Sequence, residues 1–320
     1  MQAAIPGSTS GLFSRYQRRD QLNYRFFICD VFTEVRFGGN QLAVFPDARG
    51  LSDSQMQQIA REINFSETTF VLPAEKGHTR RVRIFTPMIE VPFAGHPSIG
   101  TVFVLATTGE LGTGGLPRSV ILEQAAGTVP VSIQKTSGDT LWCELKAPET
   151  LSLGRTADIE TLSIAVSLSV DDFDTSVHVP RVASVGLPFL FARVRDAETL
   201  SRARVNPAGF DQLRDSGLVS EVHLYAMSSG TFDIQARVFV PSDGFFEDPA
   251  TGSANCALGA LLAHHNSVAD GEFAWTVSQG SEISRPSTIH VRASKRKGAL
   301  AGSWVGGHCV MVSEGEFYSL

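Results

Sequence analysis

The sequence lacks the features that mark several familiar classes of protein. Its 27 basic and 33 acidic residues give a net charge of −6, so it has no basic surplus with which to bind nucleic acid. No apolar run reaches the roughly 18 residues of a membrane span, and we expect no membrane association. The four cysteines are far apart and do not show the spacing of a metal site. We therefore expect no metal, and free thiols in the cytoplasm.

The sequence contains an internal repeat. One segment begins RIFTP at Arg83 and the other begins RVFVP at Arg237, and each runs from a strand pattern through a glycine-containing turn into an apolar helix. The two arginines are 154 residues apart, and the turn glycines Gly95 and Gly252 are 157 apart. A longer loop in the second copy, by three residues, accounts for the difference. Matching features in the same order at nearly one interval indicate a duplication.

The same register extends upstream of these segments. Ser66-Glu67 lies over Ser220-Glu221, again 154 residues away. Each copy then reads as strands and helices that could form one lobe of an α+β protein. We predict a tail, an N-terminal lobe and a C-terminal lobe, with closing strands that could pair across the lobes, over residues 1–24, 25–160 and 161–320.

The turn of each repeat opens a helix. Thr251, Gly252 and Ser253 occupy the cap and first turn of the second helix, where free N–H groups and the helix dipole favour an anion. The alternative is an ordinary helix cap, since Ser and Thr are preferred there. If a pseudo-two-fold axis relates the lobes, Gly95-His96 would face this turn across one cleft. The two turns together would then hold the carboxylate of a small anionic metabolite.

With these segments assembled, the sequence resembles the phenazine-biosynthesis isomerase family, the PhzF-like proteins. The resemblance covers nearly the whole chain from residue 25, and the matching segments are DVFTEVRFGGNQLAVF, NFSETTFV, RIFTPMIEVPFAGHPSIG, EDPATGSAN, SQGSEISRPS and VGGHCVMVSEG. It implies a duplicated two-lobe α+β fold of the diaminopimelate epimerase type. In that fold each lobe is a sheet rolled around a central helix, the active site lies between the lobes, and the protein is often a homodimer.

The resemblance also implies proton transfer without a cofactor. In the phenazine enzyme a glutamate moves a proton within a cyclic dihydro-hydroxyanthranilate, with help from a histidine, an aspartate and a serine. Those roles fall on Glu67, His96, Asp248 and Ser253. We expect the substrate to be bound by Ser253 together with Asn40, Ser66, Gly95, Thr251 and Gly252. Because no G-x-S-x-G motif surrounds Ser253 or Thr251, we expect both to bind an anion rather than act as nucleophiles.

Each of these residues also has a structural alternative. Glu67 could be a solvated residue at the start of a strand, or a base in an apolar cleft beside Phe65 and Phe70. His96 could be a buried structural histidine, or a neutral imidazole that relays a hydrogen bond near a helix N-terminus. Asp248 could be a simple helix cap, and Asn40 could form a turn near the cleft or merely lead into a strand.

Three functions remain open at this stage. The first is an isomerase that moves a proton on a small carboxylate, including cyclic and aromatic-precursor compounds. The second is a racemase or epimerase of an amino-acid-like compound. The two thiols that diaminopimelate epimerase uses would match Ala94 and Thr251, so two-thiol chemistry is not expected here. The third is a non-catalytic relative that binds a small anion.

Overall fold

The computed structural model describes residues 23–112, 114–136, 138, 140–219, 221–241 and 246–318. Most of the predicted N-terminal tail lies outside these ranges, and the first strand already begins at Tyr24. The first half contains the elements β1 (Tyr24–Val31), β2 (Asn40–Phe45), α1 (Asp53–Ile63), β3 (Glu67–Leu72), β4 (Arg80–Phe85), β5 (Glu90–Val91), α2 (Gly95–Thr107), β6 (Ser119–Gln124), β7 (Gly127–Lys135) and β8 (Leu141–Lys146).

The second half repeats this order with additions at its start, two helices in place of one before β12, and a 3₁₀ turn after β15. Its elements are β9 (Ser152–Thr156), α3 (Ile159–Ala165), a 3₁₀ turn (Val170–Asp172), β10 (Arg181–Ser184), β11 (Pro188–Arg193), α4 (Ala197–Arg202), α5 (Pro207–Asp215), β12 (Val222–Met227), β13 (Ile234–Phe239), β14 (Glu247–Asp248), α6 (Gly252–His265), β15 (Gly271–Gln279), a 3₁₀ turn (Ser281–Ile283), β16 (Ser287–Arg296) and β17 (Ala299–Phe317).

Strand pairing confirms the duplication. In the first half β3 pairs in parallel with β2 and antiparallel with β4, which also pairs with β5 and, in parallel, with β6. In the second half β12 and β13 make the same set of pairings with β11, β14 and β15. Four residues separate β4 from β5 and seven separate β13 from β14, which confirms the three extra residues predicted for the second loop.

Each half wraps its sheet around a helix that is buried on nearly all sides. Strands β1, β2, β3, β4, β6, β7, β8 and β17 pair in a closed ring, and α2 packs against them from inside. Helix α6 packs in the same way against β15, β16 and β17. Both helices consist mainly of small and apolar residues, as expected for a helix without a solvent face.

The last strand connects the two halves. Strand β17 pairs with β16 of its own half and with β1 and β8 of the first half. The predicted cross-lobe pairing is therefore present, and the lobe boundary near residue 160 stays a prediction. Within the described ranges, no helix is long and apolar enough to cross a membrane.

Helix α1 sets the direction of the chain as it enters β3. The Ser52 hydroxyl accepts a hydrogen bond from the Gln55 N–H, and the Gln55 side chain accepts one from the Ser52 N–H, which together form a capping box. The helix ends at Asn64, whose left-handed conformation turns the chain back towards the sheet. Three residues later the strand β3 begins with Glu67.

Candidate active site

The N-termini of the two central helices meet between the halves. A β-carbon at Gly95 would lie 2.8 Å from the backbone nitrogen of Ser253, and one at Gly252 would lie 2.9 Å from the Phe32 ring. Only glycine allows this close approach. The turns at Gly95 and Gly252 therefore face each other in the structure, as predicted.

Neither helix has a side chain that caps its first turn. Ala94 is the N-cap of α2 and has no hydroxyl, and the Thr251 side chain makes no capping bond to α6. The Thr251 hydroxyl instead donates to Asp248 Oδ2 at 2.5 Å. The ordinary-cap alternative for Thr251 is wrong, and the positive ends of both helix dipoles face the junction.

A cavity of about 380 Å³ opens at this junction. Eight of the nine residues predicted to form the site line it, namely Ser66, Glu67, Gly95, His96, Asp248, Thr251, Gly252 and Ser253. The ninth, Asn40, contacts three of them from behind this lining. The structure thus brings the whole predicted set to one place.

Glu67 and His96 face each other across the edge of this cavity. Glu67 Oε2 lies 3.5 Å from His96 Nε2, at the outer limit of hydrogen bonding, and the Glu67 side chain is only 18% exposed. The solvated alternative for Glu67 is therefore wrong. Burial lowers the pKa of His96 to about 3, although a hydrogen bond to the backbone of Gln41 acts in the opposite direction. The imidazole is neutral at physiological pH, as predicted, and burial is the main cause.

Asn40 connects the polar side chains of the two halves. Its Nδ2 donates to Asp248 Oδ1 at 2.9 Å and to the Ala250 carbonyl at 3.0 Å, and it lies 3.3 Å from His96 Nδ1. Its Oδ1 accepts a hydrogen bond from the Ser66 hydroxyl at 3.1 Å. The side chain therefore fixes three residues of the site as well as the turn before α6.

Asp248 is a buried carboxyl group held by hydrogen bonds. Burial raises its pKa, while hydrogen bonds from Thr251, Asn40 and Ser66 favour the ionised form and reduce that effect. It lies in β14, before the helix, and its side chain accepts from the Asn40 amide and two hydroxyls. The helix-cap alternative for Asp248 does not describe these contacts.

The apolar surroundings of Glu67 differ from the prediction. Phe70 points to the other face of β3, where it stacks on Phe45 at 5.0 Å, and neither Phe65 nor Phe70 lines the cavity. Side chains alternate along a strand, so a residue three positions after Glu67 faces away from it. The apolar lining described by the structure comes from elsewhere, and consists of Met88, Ile89, Val91, Phe93, Ala94, Leu187, Pro188, Phe189 and Val240.

Gln279 is a site-supporting residue that the sequence reasoning missed. Its Nε2 donates to the Asp248 carbonyl at 2.8 Å and the Thr251 hydroxyl at 3.1 Å. Its Oε1 accepts from the Thr251 N–H at 3.2 Å and from Asn255 Nδ2 at 2.7 Å. The residue lies in the matching segment SQGSEISRPS, and Gln124 occupies the equivalent strand end in the first half, so the repeat could have revealed it.

The thiols lie outside the site. All four cysteines are buried and free of disulfides, as expected. Among the residues that the structure describes, no group of three or more His, Cys, Asp or Glu side chains is arranged to hold a metal ion.

Comparison with known proteins assigns the family. Residues 29–315 match the family model described as phenazine biosynthesis-like protein. The chain belongs to this family. It is 34% identical over 303 residues to an uncharacterized isomerase of Mesorhizobium japonicum, which covers 92% of this chain and 98% of the relative.

Two further similarities concern activity and fold. The chain is 32% identical over 294 residues to the trans-2,3-dihydro-3-hydroxyanthranilate isomerase of Pseudomonas fluorescens, covering 91% of this chain and 98% of that enzyme. A crystal structure of a PhzF-family phenazine biosynthesis protein from Bacillus anthracis matches with a TM-score of 0.84 and 27% identity, over 92% of this chain and 99% of that one. The protein is an isomerase of the phenazine biosynthesis-like family with the duplicated fold that the resemblance implied.

Proposed function

We propose that this enzyme relocates a proton on a small carboxylate-bearing substrate, with Glu67 as the acid–base group and without a cofactor. The observation that carries the proposal is the position of Glu67 at a cavity where two helix N-termini meet. Those N-termini would hold the substrate carboxylate and stabilise the charge that develops when a neighbouring carbon loses its proton.

In this mechanism one carboxylate performs both proton transfers. Glu67 removes a proton from carbon, becomes the acid, and returns the proton to another carbon on the same face of the substrate. Neutral His96, 3.5 Å away, would hydrogen-bond to Glu67 or to the substrate during both steps. Asp248 and Ser253 would orient the substrate, and Asn40 and Ser66 would hold Asp248 in place.

The relatives suggest a first substrate to test. Trans-2,3-dihydro-3-hydroxyanthranilate is the compound named for the Pseudomonas enzymes. We propose that the substrate here is a cyclic carboxylate of comparable size, since the cavity of about 380 Å³ matches a small metabolite.

The experiment measures carbon-bound deuterium by NMR after incubation of candidate carboxylates in D₂O, beginning with trans-2,3-dihydro-3-hydroxyanthranilate. Wild type should introduce deuterium and shift a double bond, and Glu67→Gln should lower the rate by a factor of about 10³ or more while remaining folded. Glu62→Gln, on the exposed side of α1, is the matched control. Turnover retained in Glu67→Gln would remove Glu67 from the mechanism. Loss of configuration at one carbon, with double bonds unchanged, would identify an epimerase instead.

We further propose that the protein acts in the cytoplasm as a homodimer, as the family resemblance implies. Sedimentation equilibrium at micromolar concentration tests the assembly, with twice the chain mass of 34.5 kDa as the expected result. A single species at 34.5 kDa would contradict the dimer.

A further inference from the structure

The duplication places a second glutamate at the same cavity. Glu67 opens β3, and Glu221 directly precedes β12, the equivalent strand of the other half. The strand registers agree, because Thr68 pairs with Phe85 in the first half as Val222 pairs with Phe239 in the second. Both glutamates line the cavity, from opposite halves of the protein.

The surroundings of the two glutamates have diverged. Three polar residues near Glu67 have apolar counterparts near Glu221, whereas the counterpart of His96 is the polar Ser253. We call the side of the cavity around Glu67 the first wall and the side around Glu221 the second wall. The register of the two repeats places an apolar residue in the second wall at three positions that are polar in the first. Asn40 corresponds to Leu187, Asp248 to Val91 and Thr251 to Ala94.

The second wall therefore keeps the acid but has apolar residues at the positions equivalent to Asn40, Asp248 and Thr251. The three apolar residues all line the cavity, together with Phe93 and Phe189. A carboxylate on an apolar wall interacts strongly with a charged or donor group that reaches it, because the local dielectric constant is low.

The charges around the cavity indicate what such a group would be. The described lining residues include the carboxyl groups of Glu67, Glu221 and Asp248, and no Lys or Arg. The two helix N-termini contribute positive potential at this cavity, which suits the substrate carboxylate. A ligand with a second, cationic or hydrogen-bond-donating group is favoured over one that is only anionic.

We propose that Glu221 is a further substrate-binding residue, which holds an ammonium or hydroxyl group of the substrate on the wall opposite Glu67. The inference rests on the proposed function in that it uses the same cleft. It adds a specificity-determining residue and requires that the substrate carry a donor group apart from its carboxylate.

The experiment compares two kinds of unreactive probe that share one ring. Cyclohexanecarboxylate has the carboxylate alone, and the 2-, 3- and 4-aminocyclohexanecarboxylates add an ammonium group at different distances. Calorimetric titration of wild type should show at least one amino isomer binding about tenfold more tightly than cyclohexanecarboxylate. Glu221→Gln should abolish most of that preference and leave the affinity for cyclohexanecarboxylate within about threefold. Glu62→Gln, on the exposed side of α1, should behave as wild type does.

Three results would overturn the proposal. The first is that Glu221→Gln still binds an amino isomer more tightly than cyclohexanecarboxylate, as wild type does. The second is that this variant loses affinity equally for both kinds of probe. The third is that wild type binds no amino isomer more tightly than cyclohexanecarboxylate. Unchanged affinity for cyclohexanecarboxylate shows that the variant is folded. Because the probes do not react, the result does not depend on turnover. The test therefore remains valid if Glu67 is not the acid–base group of the reaction.

Discussion

Gly95 and Ser253 lie so close that a β-carbon on the first would be 2.8 Å from the backbone nitrogen of the second. A Gly95→Ala substitution must therefore separate the two helix N-termini. We expect a loss of stability of about 1 to 3 kcal/mol in urea unfolding, as for other overpacked sites. Turnover should fall by a factor of about 10², because the groups that hold the substrate move relative to Glu67.

The control for this substitution is Gly114→Ala. Gly114 lies on an exposed loop, and a β-carbon there would meet no atom within 4 Å. This variant should keep the stability and turnover of wild type. If Gly95→Ala also keeps full turnover, the close contact of the two helices does not matter for catalysis.

Gln279 offers a test of how the second half supports the site. Gln279→Ala would remove the acceptor of the Thr251 N–H, one of the two acceptors of the Asn255 amide, and the donor to the Asp248 carbonyl. Loss of buried hydrogen bonds of this kind costs about 3 kcal/mol in total. We also expect turnover to fall by a factor of about 10 to 100, because the backbone of Asp248 loses one of the bonds that position it.

Gln124 is the matched control, since it ends the equivalent strand of the first half. Its Nε2 donates to the Ser98 hydroxyl at 2.8 Å, and it does not line the cavity. Gln124→Ala should therefore lower stability and spare turnover. An equal loss of turnover in both variants would show that Gln279 acts only through general stability.

Much of the fold was predictable because the sequence contains its pattern twice, as an internal repeat. The strand that begins at Glu67 and the helix that begins at Gly95 have counterparts about 154 to 157 residues later in the sequence. The pattern of each copy therefore supports the secondary structure predicted for the other. Matching motifs then located the site. The approach of Gly95 to Gly252 also followed, because equivalent turns related by a pseudo-two-fold axis meet at that axis.

The parts that were missed depend on contacts between distant segments. The prediction placed Phe70 beside Glu67, but strand alternation turns Phe70 towards Phe45 and the outer helix α1. Gln279 contacts Asp248 across the end of a sheet, and nothing in its local sequence indicates that partner. Asn40 also donates across the junction of the halves to Asp248 and the Ala250 carbonyl, and only the structure reveals these two partners.

Asn40→Asp tests the charge of the polar network. The substitution would put a second carboxyl group within hydrogen-bonding distance of Asp248, where the wild-type amide donates at 2.9 Å. Two buried carboxylates at this distance cannot both be ionised, so the pKa of one of them rises further. We expect a loss of about 3 kcal/mol at pH 7 in urea unfolding. The deficit should shrink as the pH falls through that raised pKa, because the folded state then binds the extra proton.

Asn266→Asp is the control for the Asn40 variant. Asn266 is exposed and its Oδ1 accepts a hydrogen bond from the Val268 N–H, which an aspartate can also accept. Its stability should follow that of wild type at each pH. A deficit in Asn40→Asp that stays constant from pH 7 to pH 5 would mean that lost hydrogen bonds, rather than charge repulsion, cause it.

His96 should make the protein sensitive to acid. Its pKa is about 3 in the folded protein and 6.5 without burial, so below pH 6.5 the unfolded chain binds a proton that the folded chain does not. Stability therefore falls as the pH falls, by about 1.4 kcal/mol per pH unit, or about 2 kcal/mol between pH 6.5 and 5. In His96→Gln the unfolded chain no longer binds this proton, because glutamine does not titrate. We expect its urea-unfolding free energy to decrease by about 2 kcal/mol less than that of wild type over the same interval.

This test uses the difference in pH dependence rather than the absolute stability, because the glutamine also changes the packing beside Glu67. His78→Gln is the control, since His78 is exposed on the connection between β3 and β4. If His78→Gln flattens the pH dependence as much as His96→Gln does, burial of the active-site imidazole is not the cause. If neither variant changes it, the imidazole of His96 is accessible to protons in the folded enzyme, and it would be available as a cation for substrate binding below pH 6.5.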